Sequence, residues 1–263
     1  ILNLILIIAS ERRIILNFMN NTVILIPSRL AATRLPNKPL LKINNMSIIN
    51  HVYKIAKSSL VSQCYVATGD KEIFEEVTKN GGKCILTRSD HLTGTDRIFE
   101  AFQKLENDNI EYVVNLQGDE PMLNIKDINN LITKTIEKKS KVSTLACEIE
   151  NKGLLSKKNI VKVATHEKLE ENKLSTAISF SREVSKTIQN IYHHIGIYIY
   201  NVAYLKKFVQ LRQTQNEKIQ RLEQLRLIEN KISIDVGLAK TRPIGVDTHE
   251  DYLELKKIME YKN

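Results

Sequence analysis

Along this chain the apolar positions come in short blocks divided by longer segments of mixed apolar and polar character. The run Val23-Ile24-Leu25-Ile26, ended by Pro27, reads as a strand buried on both faces. Further strands are predicted over residues 63–67, 83–86, 112–116 and 142–147. Helices are predicted between them over 48–58, 71–80, 96–107 and 125–138, with Gly81-Gly82 as a natural stop for the second. Such alternation is the pattern of a largely parallel sheet covered by helices on both faces.

After Cys147 the rhythm changes. Strands over 161–165, 176–180 and 193–200 have little helix between them and read as antiparallel strands laid over one end of the sheet. Helices over 202–211 and 218–230, a strand over 232–236 and a helix over 248–261 follow. No internal repeat or Pro/Gly/Ser linker divides this stretch. One domain over 22–263 is therefore expected, with 148–217 as a smaller antiparallel region. Residues 1–21 read as an extension outside the native fold, with Met19 as the expected start, because the chain opens on Ile and Met19 stands four residues before the first strand; the opening apolar run is broken by Glu11-Arg12-Arg13. That run is too short to span a membrane and lacks the basic region that precedes a secretory signal.

Composition narrows the picture only a little. With 42% hydrophobic and 26% charged residues the chain is of ordinary globular character. Its 39 Lys plus Arg against 30 Asp plus Glu give +9, which favours an anionic partner. No aromatic-interleaved basic run or nucleic-acid module is present, so nucleic acid is not the expected partner. Cys64, Cys84 and Cys147 fit neither a disulfide framework nor a zinc pattern, which points to a reducing compartment.

The chemistry gathers where predicted strands end. Arg29, Arg34 and Lys38 follow the first strand, and open α/β sheets bind ligands just beyond such ends. Guanidinium forks and a point-charge ammonium suit the phosphates of a nucleoside triphosphate. Gln117-Gly118-Asp119-Glu120-Pro121 follows the fourth strand and brings negative charge. Carboxylates beside a triphosphate imply a bridging divalent cation, so Asp119 is the first candidate Mg²⁺ ligand, Asp247 of Gly245-Val246-Asp247-Thr248 the second, and Glu120 equally available. Read alone, Asp247 and Thr248 serve as well for helix N-caps. Between residues 87 and 97 a polar loop, with Gly94 for close approach and Thr95 able to cap the next helix, suits a nucleobase. Neither a P-loop nor a dinucleotide fingerprint occurs.

Taken in order, these segments resemble the 3-deoxy-D-manno-octulosonate (Kdo) cytidylyltransferases, as do Val66-Ala67-Thr68, Phe180-Ser181-Arg182, His194-Ile195-Gly196-Ile197-Tyr198 and Leu222-Glu223-Gln224-Leu225-Arg226. The resemblance implies an α/β fold of the nucleotide-diphospho-sugar transferase type, mostly parallel, with an antiparallel substrate and dimerisation region. It implies a cytoplasmic homodimeric enzyme that activates Kdo with CTP for lipopolysaccharide biosynthesis. In that reading Arg29, Arg34 and Lys38 hold the CTP phosphates, the loop from Arg88 to Thr95 surrounds cytosine, and Asp119 and Asp247 hold Mg²⁺. Gln117 belongs to the substrate site, and Arg182, His194, Tyr198, Glu223 and Gln224 form the Kdo pocket.

The chain departs from the family at Leu30 and Ala32, in place of an aromatic and a Ser, and at His193, in place of an Arg. Residues 183–192 are shorter than usual and lack Ile-Pro, which bears most on Arg182. The alternatives are a cytidylyltransferase for another acid sugar such as sialic acid, or a basic binding protein for RNA or glycan that retains the fold without catalysis.

Overall fold

The computed structural model describes residues 20–31, 34–149, 151–183 and 189–261. Residues 1–19, Ala32 and part of the segment after Arg182, on which three of the expectations fall, lie outside these. In chain order come β1 (Thr22–Ser28), a 3₁₀ turn (Lys38–Leu40), β2 (Lys42–Ile43), β3 (Met46–Ser47), α1 (Ile48–Lys57), β4 (Gln63–Thr68) and α2 (Lys71–Lys79). Then follow β5 (Cys84–Leu86), α3 (Gly94–Gln103), β6 (Tyr112–Asn115), α4 (Ile125–Lys138), β7 (Val142–Cys147), a second 3₁₀ turn, β8 (Lys162–Thr165) and β9 (Leu174–Ser181). The last elements are β10 (Ile191–Asn201), α5 (Val202–Gln210), α6 (Gln215–Gln220), α7 (Leu225–Glu229), β11 (Ile234–Leu238) and α8 (His249–Tyr261).

Nine strands form one sheet in the order β5-β4-β1-β6-β10-β7-β11-β9-β8. The first four are mutually parallel, and β10 then enters antiparallel between β6 and β7. The sheet is therefore mixed, and the antiparallel strands continue it instead of lying over its end. Because β8 pairs with both β9 and β10, the strands β10, β7, β11, β9 and β8 close into a ring.

Alternation along β1 explains the two covered faces. Val23 and Leu25 join a core with Ile98 of α3 and Phe208 of α5, while Ile24 and Ile26 join another with Ile49 of α1 and Ile128 of α4. All of these are fully buried, each contributing roughly 1.5–3 kcal/mol of transfer free energy. A third, smaller core of Leu35, Ile43, Ile48, Val246 and Leu255 binds the loop after β1 to α8. This last cluster decides where the charged residues of that loop sit.

Two local predictions need correction, and one element was not predicted. The helix expected over 218–230 is two helices, broken at Arg221 in the left-handed conformation (φ 53°). A buried pair, Arg226 Nε to Glu217 Oε2 at 2.9 Å with Nη2 on Oε1, binds the two together. Thr93, whose hydroxyl accepts from Asp96 N at 3.1 Å, caps α3, so Thr95 falls inside the first turn. The β2–β3 hairpin was not foreseen; Asn44 and Asn45 turn it with φ of 48° and 61°. Among the described residues no helix is long and apolar enough to cross a membrane.

Candidate active site

Because β1 and β6 run parallel, their carboxyl ends meet at one edge. The approach is close: a Cβ on Gly118 would stand 2.9 Å from the Pro27 carbonyl oxygen. A cleft of about 990 Å³ opens there. Arg29, Arg34 and Lys38 line it from the loop after β1, Gln117 and Asp119 from the loop after β6, and Asp247 from the turn before α8. Arg182, Lys158 and Arg221 line the far side.

The two aspartates converge on one ammonium. Lys38 Nζ donates to Asp119 Oδ2 at 2.6 Å and to Asp247 Oδ1 at 3.4 Å, and Arg34 Nη2 reaches Asp247 Oδ2 at 3.1 Å. The packing of Leu35 on Val246 and a backbone bond from Val246 N to Asp119 O at 3.0 Å bring the distant segments together. Thr248 alone takes the capping role, its hydroxyl accepting from Asp251 N, which leaves the Asp247 carboxylate to the cations. Glu120 lies just behind, with Oε2 buried and unpartnered. Burial, with Asp119 and Asp247 adding their charge and Lys38 opposing, pushes its carboxyl up to about 8. Unlike Asp119 and Asp247, it does not line the cleft.

The nucleobase loop is arranged differently from expectation. Arg88 points outward, 70% exposed, with Asp90 at 3.4 Å and Glu100 at 3.8 Å, and does not line the cleft. Arg97, the last residue of the predicted nucleobase loop and given no role of its own there, is buried and lines the cleft, donating to Thr87 Oγ1 at 2.6 Å and to the Arg88 carbonyl at 2.9 Å. Burial would raise the Glu100 carboxyl, but bonds from Lys104, His91 and the Arg88 backbone outweigh it and hold it at about 2. Thr95 is fully buried against Asn115, away from the cleft.

The residues expected for the sugar lie in an inner wall. At a register shift in β10 between Ile195 and Tyr198, Thr144 of β7 bonds the Ile195 and Ile197 carbonyls and lies 3.1 Å from His194 Nε2, while Gln117 Nε2 donates to Gly196 O at 3.0 Å. His194 is held between Phe180 and Tyr198, ring centroids at 5.1 and 5.5 Å. Burial, then the charge of His193, pushes its imidazole down to about 3, so it is neutral. The left-handed turn at Arg221 sends Glu223 and Gln224 inward. The Tyr198 hydroxyl and Glu223 Oε1 are enclosed without a well-formed hydrogen bond of their own, and burial raises both groups, opposed by Thr144 beside Tyr198 and by Thr93 and Thr95 beside Glu223. His194, Tyr198, Glu223 and Gln224 flank the open cleft without lining it. Arg182 does line it, but its Nε donates to Gln220 O at 2.8 Å and its Nη1 to Lys158 O at 3.0 Å.

Among the described residues no three His, Cys, Asp or Glu side chains form a complete metal cage. Two carboxylates that share one ammonium suit a Mg²⁺ ion completed by phosphate oxygens and water, the usual way this ion is held beside nucleotides.

The family model for cytidylyltransferases matches residues 23–234. A 3-deoxy-manno-octulosonate cytidylyltransferase of Thermodesulfovibrio yellowstonii is 43% identical over 247 residues, covering 88% of this chain and 94% of that one. One from Rhodopseudomonas palustris is 39% identical over 240 residues, covering 90% and 97%. The solved structure of a CMP:2-keto-3-deoxy-manno-octonic acid synthetase complexed with CTP superposes with a TM-score of 0.84 at 33% identity, covering 92% of this chain and 99% of that one.

Proposed function

This chain belongs to the 3-deoxy-manno-octulosonate cytidylyltransferases, and from that premise we propose how its own residues serve the reaction. It is a nucleotidyltransferase that activates Kdo with CTP, giving CMP-Kdo and pyrophosphate. The anomeric hydroxyl attacks the α-phosphorus in line; the new sugar–phosphate bond forms as the bond to pyrophosphate breaks.

The observation that carries the reading is the convergence of Asp119 and Asp247 upon Lys38, beside Arg34. Arg29, Arg34 and Lys38 neutralise the triphosphate and hold it in line, the electrostatic and positioning work that this class of transfer demands. Lys38 has two prospective partners, the carboxylates and the phosphates, and the nucleotide draws it toward the second. Asp119 and Asp247 hold Mg²⁺, which supplies further charge neutralisation to the phosphates. Arg97 and Thr93, at the start of α3, stand in the region proposed for cytosine, where Arg88 had been expected.

On the sugar side, the enclosed Tyr198 hydroxyl and Glu223 Oε1 are atoms that a polyhydroxylated ligand satisfies when it enters, with His194, Gln117 and Gln224 beside them. A neutral His194 donates or accepts without repelling cations nearby. The same reading assigns the enzyme to the cytoplasm, to the supply of lipopolysaccharide assembly and to a homodimer built through residues 148–217, with family membership as its support.

The test is pyrophosphate release with CTP and Mg²⁺, offering Kdo, sialic acid and a sugar 1-phosphate in parallel. Release with Kdo alone is the expected outcome. Release only with sialic acid moves the chain to another acid sugar. No release, together with Mg²⁺-independent and strongly salt-sensitive RNA or glycan binding, makes it a binding protein.

A further inference from the structure

On the far side of the cleft Arg182, the residue expected to grip the sugar carboxylate, already has two donors committed to backbone carbonyls. One, at Gln220, belongs to the residue just before Arg221, and the other belongs to Lys158. Arg182 is thus a strut between two segments that carry further cations. Lys162 behaves in the same way: its buried Nζ donates to Lys157 O at 2.7 Å and to Arg182 O at 2.9 Å.

The cations left to face a ligand are Lys158 and Arg221, both on the cleft surface. Lys158 is paired with Glu183 at 2.6 Å, both side chains being largely exposed. The Arg221 backbone N–H donates to the Glu217 carbonyl at the end of α6, but among the described residues its side chain makes no hydrogen bond or ion pair. Its backbone is left-handed, a turn that Gly or Asn takes at least cost, yet the sequence places there a long side chain with a forked cation. On the opposite wall, by contrast, Arg34 and Lys38 have Asp119 and Asp247 as counter-ions.

We infer that Arg221 is a specificity-determining residue that reads the carboxylate of the acid sugar, with Lys158 beside it and Arg182 as the positioning residue that sets both. The inference rests on the function proposed above. A guanidinium without a partner matches a planar carboxylate bidentately, and an exposed Lys158–Glu183 pair exchanges its partner at little cost.

Steady-state kinetics of Arg221→Asn, which keeps a residue tolerant of the left-handed turn, tests this against wild type and Arg221→Lys. The Asn variant raises KM for Kdo about 10- to 100-fold, the effect of a charged hydrogen-bonded contact, with KM for CTP unchanged and part of the loss recovered by Lys. It also loses the wild-type preference for Kdo over its uncharged C1-alcohol analogue, which a merely structural role of Arg221 does not alter. Arg182→Lys, which retains the charge but not the two-carbonyl strut, raises KM for Kdo in the same direction. An unchanged KM for Kdo in Arg221→Asn, with wild type making CMP-Kdo, overturns this inference alone. Failure of wild type to turn over Kdo overturns the proposed function and this inference with it.

Discussion

On the wall built by the loops after β1 and β6, cations and carboxylates stand in partial solvent at 2.6 to 3.4 Å from one another. On the wall built by β10 and the α6–α7 junction, His194 and Tyr198 are buried and Glu223 is half-buried with its Oε1 enclosed, and burial favours their uncharged forms. The first wall keeps charge available for exchange with a charged ligand; the second keeps polarity without charge for one rich in hydroxyls. Charge that must be exchanged is best left partly hydrated, since desolvating it fully costs several kcal/mol per ion. Hydroxyl recognition gains from burial, because an unmet polar atom is penalised until the ligand meets it.

The largest effect that tests this contrast belongs to the charged wall. Asp119→Asn lowers kcat at least about 10³-fold while circular dichroism and elution volume stay as in wild type. Near-normal turnover removes Asp119 from the machinery. On the buried wall the greatest sensitivity is structural: Glu217→Ala strands the Arg226 guanidinium and costs about 3–5 kcal/mol in urea unfolding, because both partners are buried.

Next comes pH. His194 has its imidazole at about 3 in the fold against about 6.5 when unfolded, so below pH 6.5 the unfolded chain binds a proton that the folded chain refuses. Stability contributed by the neutral ring is complete above pH 6.5 and is lost as pH falls toward 3. Unfolding free energies from urea titrations between pH 6.5 and 4 therefore fall less steeply in His194→Asn than in wild type, by up to about 1.4 kcal/mol per pH unit. Equal slopes contradict a neutral, buried His194. The smallest effect is at Arg88, where Ala changes KM for CTP by less than about threefold, as befits an exposed ion pair. A larger rise brings the Arg88 side chain back to the nucleotide.

Much of this was legible in the sequence, and the failures have physical causes. β7 and α4 have their predicted bounds, 142–147 and 125–138, because an uninterrupted apolar run or an amphipathic stretch with clear end signals admits few alternatives. Arg29, Arg34, Lys38, Asp119 and Asp247 line one cleft, as expected of residues that follow strands whose ends meet. Arg97 stood within the predicted nucleobase loop but without a role of its own, because the sequence does not show that its guanidinium turns back onto Thr87 and the Arg88 carbonyl. The break at Arg221 carries no Gly or Pro, and the Glu217–Arg226 pair that spans it joins residues nine apart, a contact that local propensity does not show. Asn44-Asn45 was a readable turn signal, but strands of two residues are too short for an alternating pattern to register.

The hydrogen bond from Val246 to the Asp119 carbonyl has a consequence for synthesis of the protein. A nascent chain that has emerged only as far as β11 already holds every strand of the sheet, yet it possesses one acidic partner for Lys38 instead of two. The second acidic partner of Lys38 thus arrives only with the segment 245–248, long after folding of the sheet can begin. A fragment ending at Leu238, supplemented with a peptide spanning 239–263, offers a direct complementation assay for that late assembly.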